Sequence, residues 1–212
     1  MGRNARIKKF RKTEPQHTKP NSSSFELWVN RFAIIIGIIS ILFLATTILK
    51  EGLPSGHDLA AHIVRPRVFV EALHQGQFPV RWVEWFKNGL SHPLFNFYQG
   101  GVYYIIAAIY FFIPSFVDSI KIMIILFWWL GALFMFLYAR RFGNLPALLA
   151  AIIYAYTPYL LVDIFVRAAY PELAAIVFAT GALWASDNLV RNKKPIFVLP
   201  LSLFIGFIIS KQ

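Results

Sequence analysis

Val102-Tyr103-Tyr104-Ile105-Ile106-Ala107-Ala108-Ile109-Tyr110-Phe111-Phe112-Ile113 is apolar and aromatic throughout, and it stops at Pro114. Whether this dozen residues crosses a bilayer decides the topology of the chain. A helix rises 1.5 Å per residue, so about a dozen residues reach only ~18 Å against a hydrocarbon core of ~30 Å. The stretch therefore reads as a re-entrant or interfacial helix. Charge points the same way. If it stays at one face, the loop at Arg140-Arg141, the loop at Arg191, Lys193 and Lys194, and the basic N-terminus share the opposite face. Basic loops concentrate on the cytoplasmic side, so that arrangement is the expected one.

The chain has 212 residues, of which 58% are hydrophobic and only 15% charged. Its mean hydropathy is +0.57. An ordinary soluble domain carries about 25% charged residues, so the composition indicates a polytopic all-α membrane protein. The net charge of +11 does not imply nucleic acid, because the basic residues flank apolar runs. With no cysteine, disulfides and thiolate metal sites are excluded.

About five spans are expected. Residues 1–31 form a basic cytoplasmic tail that contains the linker Asn21-Ser22-Ser23-Ser24, and the first span is Phe32 to Leu49. An outer loop at 51–117 follows, with interfacial helices. The second span is Ser119 to Tyr138, with Lys121 snorkelling back to the interface, and a tight turn at Arg140–Asn144 leads into the third, Leu145 to Val162. Pro158 kinks the outer end of that span. Asp163 to Tyr170 is a short outer loop, the fourth span is Pro171 to Leu189, and a fifth begins at Pro195. Because the chain stops at Gln212 inside this apolar run, residues 32–212 are expected to be the N-terminal part of a longer membrane domain.

This topology gathers two groups of ionisable residues on the outer face: His57, Asp58 and His62, and then Asp163, Arg167 and Glu172. Glu172 lies just inside a span, where an ionised carboxylate needs a partner, and Arg167 is in reach. A plainer reading makes Arg167–Glu172 a loop clamp and Asp58 the N-cap of a helix beginning at Leu59. His57 and His62 are five apart, which is not the spacing that puts two ligands on one helical face. Asp58 with Glu172 has the oxygen donors for a divalent cation, a plausible cofactor that nothing requires. Pro66 is expected to interrupt the helix after Leu59. Arg81, beside Trp82, reads as a group for a sugar or lipid phosphate, and Trp85 as part of an interfacial belt.

Gly56-His57-Asp58, followed by Glu71-Ala72-Leu73-His74-Gln75-Gly76-Gln77-Phe78-Pro79-Val80-Arg81-Trp82, resembles the first outer loop of GT-C-type membrane glycosyltransferases. It is most similar to the many-pass bacterial membrane proteins called 6-pyruvoyl-tetrahydropterin synthase-related, a name that here implies no pterin chemistry. The resemblance covers Phe32 to Leu189 in element order. It implies sugar transfer at the outer face of the cell membrane from a polyprenyl-phosphate-linked donor, among membrane lipids. On that pattern Asp58 matches the first-loop aspartate, the implied general base, and Glu172, or else Asp163, takes the second acidic position, with His57, His62, Arg81 and Arg167 around the substrate. Arg167-Ala168-Ala169-Tyr170-Pro171-Glu172 lacks the paired aspartates some members carry. A non-enzymatic carrier or flippase for lipid-linked intermediates, or a structural subunit, is the alternative.

Overall fold

The computed structural model describes residues 24–84 and 91–209, and it is all-helical over them apart from an isolated bridge between Val83 and His92. Trp85 and most of the basic tail lie outside the described residues. In chain order the helices are α1 (Ser24–Ile48), α2 (Leu59–His74), α3 (Leu94–Phe97), α4 (Gly101–Phe112), α5 (Phe116–Ala139), α6 (Asn144–Ala155), α7 (Pro158–Val162), α8 (Tyr170–Asn192) and α9 (Val198–Ile209).

Among the described residues three helical segments are long and apolar enough to cross a membrane: Phe116–Phe142, Asn144–Arg167 and Tyr170–Asn192. Their outward side chains are apolar as well. Trp129, Leu133, Leu149, Ile153 and Val190 are all exposed, and a face of this kind is suited to lipid. α4 has 12 residues and is too short to cross unaided. α9 also has 12.

α5 and α6 pack closely because Gly131 leaves room for Tyr154: a Cβ there would lie 2.3 Å from the Tyr154 hydroxyl. α6 breaks before Pro158, which has no N–H to give to the carbonyl of Tyr154. Freed carbonyls in a lipid-facing bundle need other donors. Thr157 N–H serves Tyr154 at 3.1 Å, and the buried Trp128 indole N–H serves Ala155 at 2.9 Å.

The bundle has two chemically distinct ends. At one, Arg141 and Arg191 both meet Asp187, at 2.5 and 3.0 Å, joining the α5–α6 turn to the end of α8. At the other, Lys121 is 7% exposed and its ammonium donates to the Lys50 carbonyl at 2.7 Å. Lys121 is thus buried, and its charge meets a carbonyl just past the C-terminus of α1.

Some expectations are corrected. Pro66 does not interrupt α2, which runs through it for 16 residues, because Pro66 sits on the buried side and the packing of Val68, Phe69 and Ala72 outweighs one missing hydrogen bond. α2 ends instead at Gly76, with φ of 82°, where Gln77 N–H reaches Ala72 and Gly76 N–H reaches Leu73, a Schellman closure. The expected outer loop at 163–170 is mostly helical: Asp163–Arg167 forms a π-turn, leaving only Ala168 and Ala169 between helices. α1 begins at Ser24, eight residues before the expected span.

These contacts place Asn144 and Asn192 at one end and Glu51 at the other. The native chain has no cysteine, so single cysteines at Glu51, Asn144 and Asn192 can be labelled cleanly. A membrane-impermeant thiol reagent is expected to reach Asn144→Cys and Asn192→Cys from the same side and Glu51→Cys from the other. Labelling of Asn144→Cys together with Glu51→Cys contradicts the arrangement.

Candidate functional site

The segment before α2 is held by backbone pairing to the far end of the third apolar segment. His57 N–H donates to the Val166 carbonyl at 3.0 Å, and Asp58 N–H to the Arg167 carbonyl at 3.1 Å. Only glycine allows this approach at position 56, since a Cβ there would lie 2.8 Å from the Ala168 Cβ and 3.0 Å from its nitrogen. Ala168 itself is left-handed, with φ of 57°, and it directs the chain from the π-turn into α8. The expected Gly-His-Asp loop and the Arg-to-Glu segment therefore meet as one unit.

Between them opens a cleft of about 240 Å³, lined by Asp58, His62, Arg167 and Glu172 on the polar side and by Phe97 and Tyr98 on the aromatic side. His57 and Arg81 do not line it. His57 is exposed, and Arg81 lies on a segment whose carbonyl accepts from Phe95 N–H at 3.2 Å, while Gln77 Oε1 takes the N–H groups of Arg81 and Trp82 at 2.6 and 2.8 Å.

Asp58 occupies the N-cap position of α2, yet its side chain makes no capping bond. Nor does its carboxylate enter an ion pair among the described residues. The capping role that would make it a structural residue is not performed by the carboxylate.

Arg167 is differently placed. Its Nη1 lies 2.7 Å from Oδ1 of Asp163, whose side chain is fully buried, and its Nη2 lies 2.8 Å from Oε2 of Glu172. The Tyr159 hydroxyl donates to the other Glu172 oxygen and sits 3.4 Å from Arg167 Nη1. Sequence reading paired Arg167 with Glu172 but missed Tyr159, whose only signal was its place one turn before Asp163. Shared between two carboxylates, Arg167 acts as a clamp, and its side chain also lines the cleft.

Asp58 and Glu172, the expected cation ligands, both line this cleft. Among the described residues no group of three or more His, Asp or Glu side chains converges on a metal position. Glu172 is held through both oxygens by Tyr159 and Arg167, and a guanidinium beside it opposes a cation.

His62 is 2% exposed and packs its ring 4.9 Å from that of Tyr170. Burial, helped by the charge of Arg65 and opposed by Asp58, lowers its pKa to about 4, so it is neutral at pH 7.

The clamp predicts that Arg167→Ala lowers the thermal midpoint in detergent by at least several degrees, because buried Asp163 and Glu172 lose their shared cation. Glu172→Gln, which leaves Arg167 on Asp163, is expected to cost less. Equal midpoints for the two variants contradict the clamp.

His62 sets an acid limit. The unfolded chain takes up a proton near pH 6.5 that the folded site refuses until about pH 4. Stability contributed by the neutral ring is therefore present above pH 6.5 and lost as pH falls through this window, on the order of 3 kcal/mol in all. The stability difference between the native chain and His62→Gln is expected to narrow from pH 7 to 4.5. A difference that stays constant over that range contradicts a neutral His62.

No family model, curated protein or solved structure matches this chain, so its functional reading rests on the chemistry of the cleft.

Proposed function

We propose that this chain is part of a GT-C-type membrane glycosyltransferase, taking a sugar from a polyprenyl-phosphate carrier to an acceptor hydroxyl at the outer face of the cell membrane. The observation that carries the reading is the Asp58 carboxylate: at a helix N-cap, unused by the helix, and lining a cleft with aromatic walls. A carboxylate spared from structural duty is available as a general base.

In this reading α1, the three long apolar segments and the run from Pro195 make five spans, with the basic end and the N-terminus in the cytoplasm. The cleft then opens outside, and α4 lies along the outer interface. Asp58 accepts the proton of the acceptor hydroxyl while that oxygen bonds to the anomeric carbon. The carbon–oxygen bond to the lipid phosphate breaks, and the phosphate leaves with the bonding electron pair. Glu172, fixed by Arg167 and Tyr159, orients the acceptor. Arg81, exposed, outside the cleft lining and in no ion pair among the described residues, is a guanidinium assigned to the lipid phosphate.

Asp58→Asn keeps the size of the side chain but removes its ability to take a proton. Turnover with a polyprenyl-phosphate-linked sugar is expected to fall about 10²–10⁴-fold, with the thermal midpoint unchanged. Near-normal turnover by Asp58→Asn contradicts the catalytic assignment and favours a carrier of lipid-linked intermediates.

A further inference from the structure

A slot of about 330 Å³ lies between α1, α5 and α6, walled by apolar side chains. Its floor is made of small buried residues, Gly37, Ala132 and Ala151. Its rim is made of large exposed ones, Ile38, Trp129 and Leu133. Gly37 brings α1 against α6 and closes the slot from behind, since a Cβ there would lie 2.6 Å from Cδ1 of Leu148. With no polar side chain on its floor the slot gives water nothing to bind, and an apolar cavity open to lipid takes up hydrocarbon.

Its position decides which hydrocarbon. α5 runs towards the basic end, and at about 1.5 Å per residue Phe136 is ~6 Å and Trp129 ~16 Å from Arg140 along the axis. One leaflet of hydrocarbon is about 15 Å thick. The slot thus has the depth of a single leaflet, which suits an acyl chain, whereas a neighbouring spanning helix needs a seat along the whole bundle. The mouth is charged. The Phe136 ring that lines the slot carries the Arg140 guanidinium 5.9 Å from its centre. Arg140 is exposed and enters no ion pair among the described residues, while its neighbour Arg141 is committed to Asp187. Arg31, also exposed, lies on α1 towards the same end.

We infer that this slot holds one acyl chain of an anionic phospholipid from the leaflet at the basic end, with the lipid phosphate on Arg140. A guanidinium offers two parallel N–H donors to a phosphate. An anionic lipid is favoured over a zwitterionic one, because Arg140 and Arg31 repel a choline ammonium. The site is at the opposite end of the bundle from the cleft and does not depend on the chemistry proposed there.

The test is native mass spectrometry of the whole chain in dodecyl maltoside, with dioleoyl phosphatidylglycerol and dioleoyl phosphatidylcholine at equal concentration. One phosphatidylglycerol is expected to stay bound after phosphatidylcholine has been stripped. Arg140→Gln is expected to weaken that retention about fivefold or more, the contribution of one arginine beside an anionic headgroup. Lys194 is exposed at the same end but does not line the slot, so Lys194→Gln is expected to leave retention unchanged. Ala151→Leu fills the floor and is expected to abolish retention. Leu133→Trp narrows the rim from outside and serves the same purpose if the floor variant folds poorly. Equal retention of the two lipids, retention that survives both slot variants, or equal effects of Arg140→Gln and Lys194→Gln overturns the inference. Preferential retention of a polyprenyl phosphate from an equimolar mixture also overturns it and assigns the slot to that lipid. Binding of neither phospholipid overturns it as well and leaves the slot to another protein segment.

Discussion

A single guanidinium holds the polar end of this molecule together. Arg167 joins the buried carboxylate of Asp163 to Glu172, at 2.7 and 2.8 Å. Without it two carboxylates would sit at the edge of apolar helices with little water to solvate them. The clamp spans the π-turn, the left-handed Ala168 and the first turn of α8, so it also fixes the carbonyls of Val166 and Arg167 that receive the first loop. Asp58 reaches the cleft because Arg167 is where it is.

The division of labour between the two ends follows from the same constraint. Between them the helices expose apolar side chains and satisfy their backbone internally, with Trp128 repairing the break before Pro158. Polar chemistry is thus confined to the ends. At the basic end Arg141 and Arg191 converge on Asp187, an arrangement that binds helices together. Only the other end combines an uncommitted carboxylate, a neutral imidazole and exposed aromatic rings around a cleft.

Much of this was legible in the sequence wherever a residue's cost in the membrane had one obvious remedy. Glu172 required a cation and Arg167 was in reach; the apolar runs marked the long helices; the brevity of Val102–Ile113 marked α4 as too short to cross. What escaped were the outcomes decided by packing between distant segments. No sequence rule shows that Lys50 offers Lys121 a carbonyl. Pro66 was expected to break α2 because its local cost is visible while the burial of its neighbours is not. Tyr159, which orients Glu172, looks in the sequence like an ordinary aromatic residue of a membrane helix. Asp58 was open between cap and base, and only its geometry shows that the helix does not use its carboxylate.

The backbone pairing of His57 and Asp58 with Val166 and Arg167 also dictates an order of assembly. The two partners are separated by about 110 residues, a contact of high sequence separation that no local structure can anticipate. At ribosomal speeds of ~5–20 residues per second, the first loop waits on the order of ten seconds before its partner exists. During that interval Gly56-His57-Asp58 is a loose segment beside a membrane, and the cleft has no floor. The site is therefore completed late in synthesis, and a chain released before residue 167 carries its aspartate but has nowhere to put it.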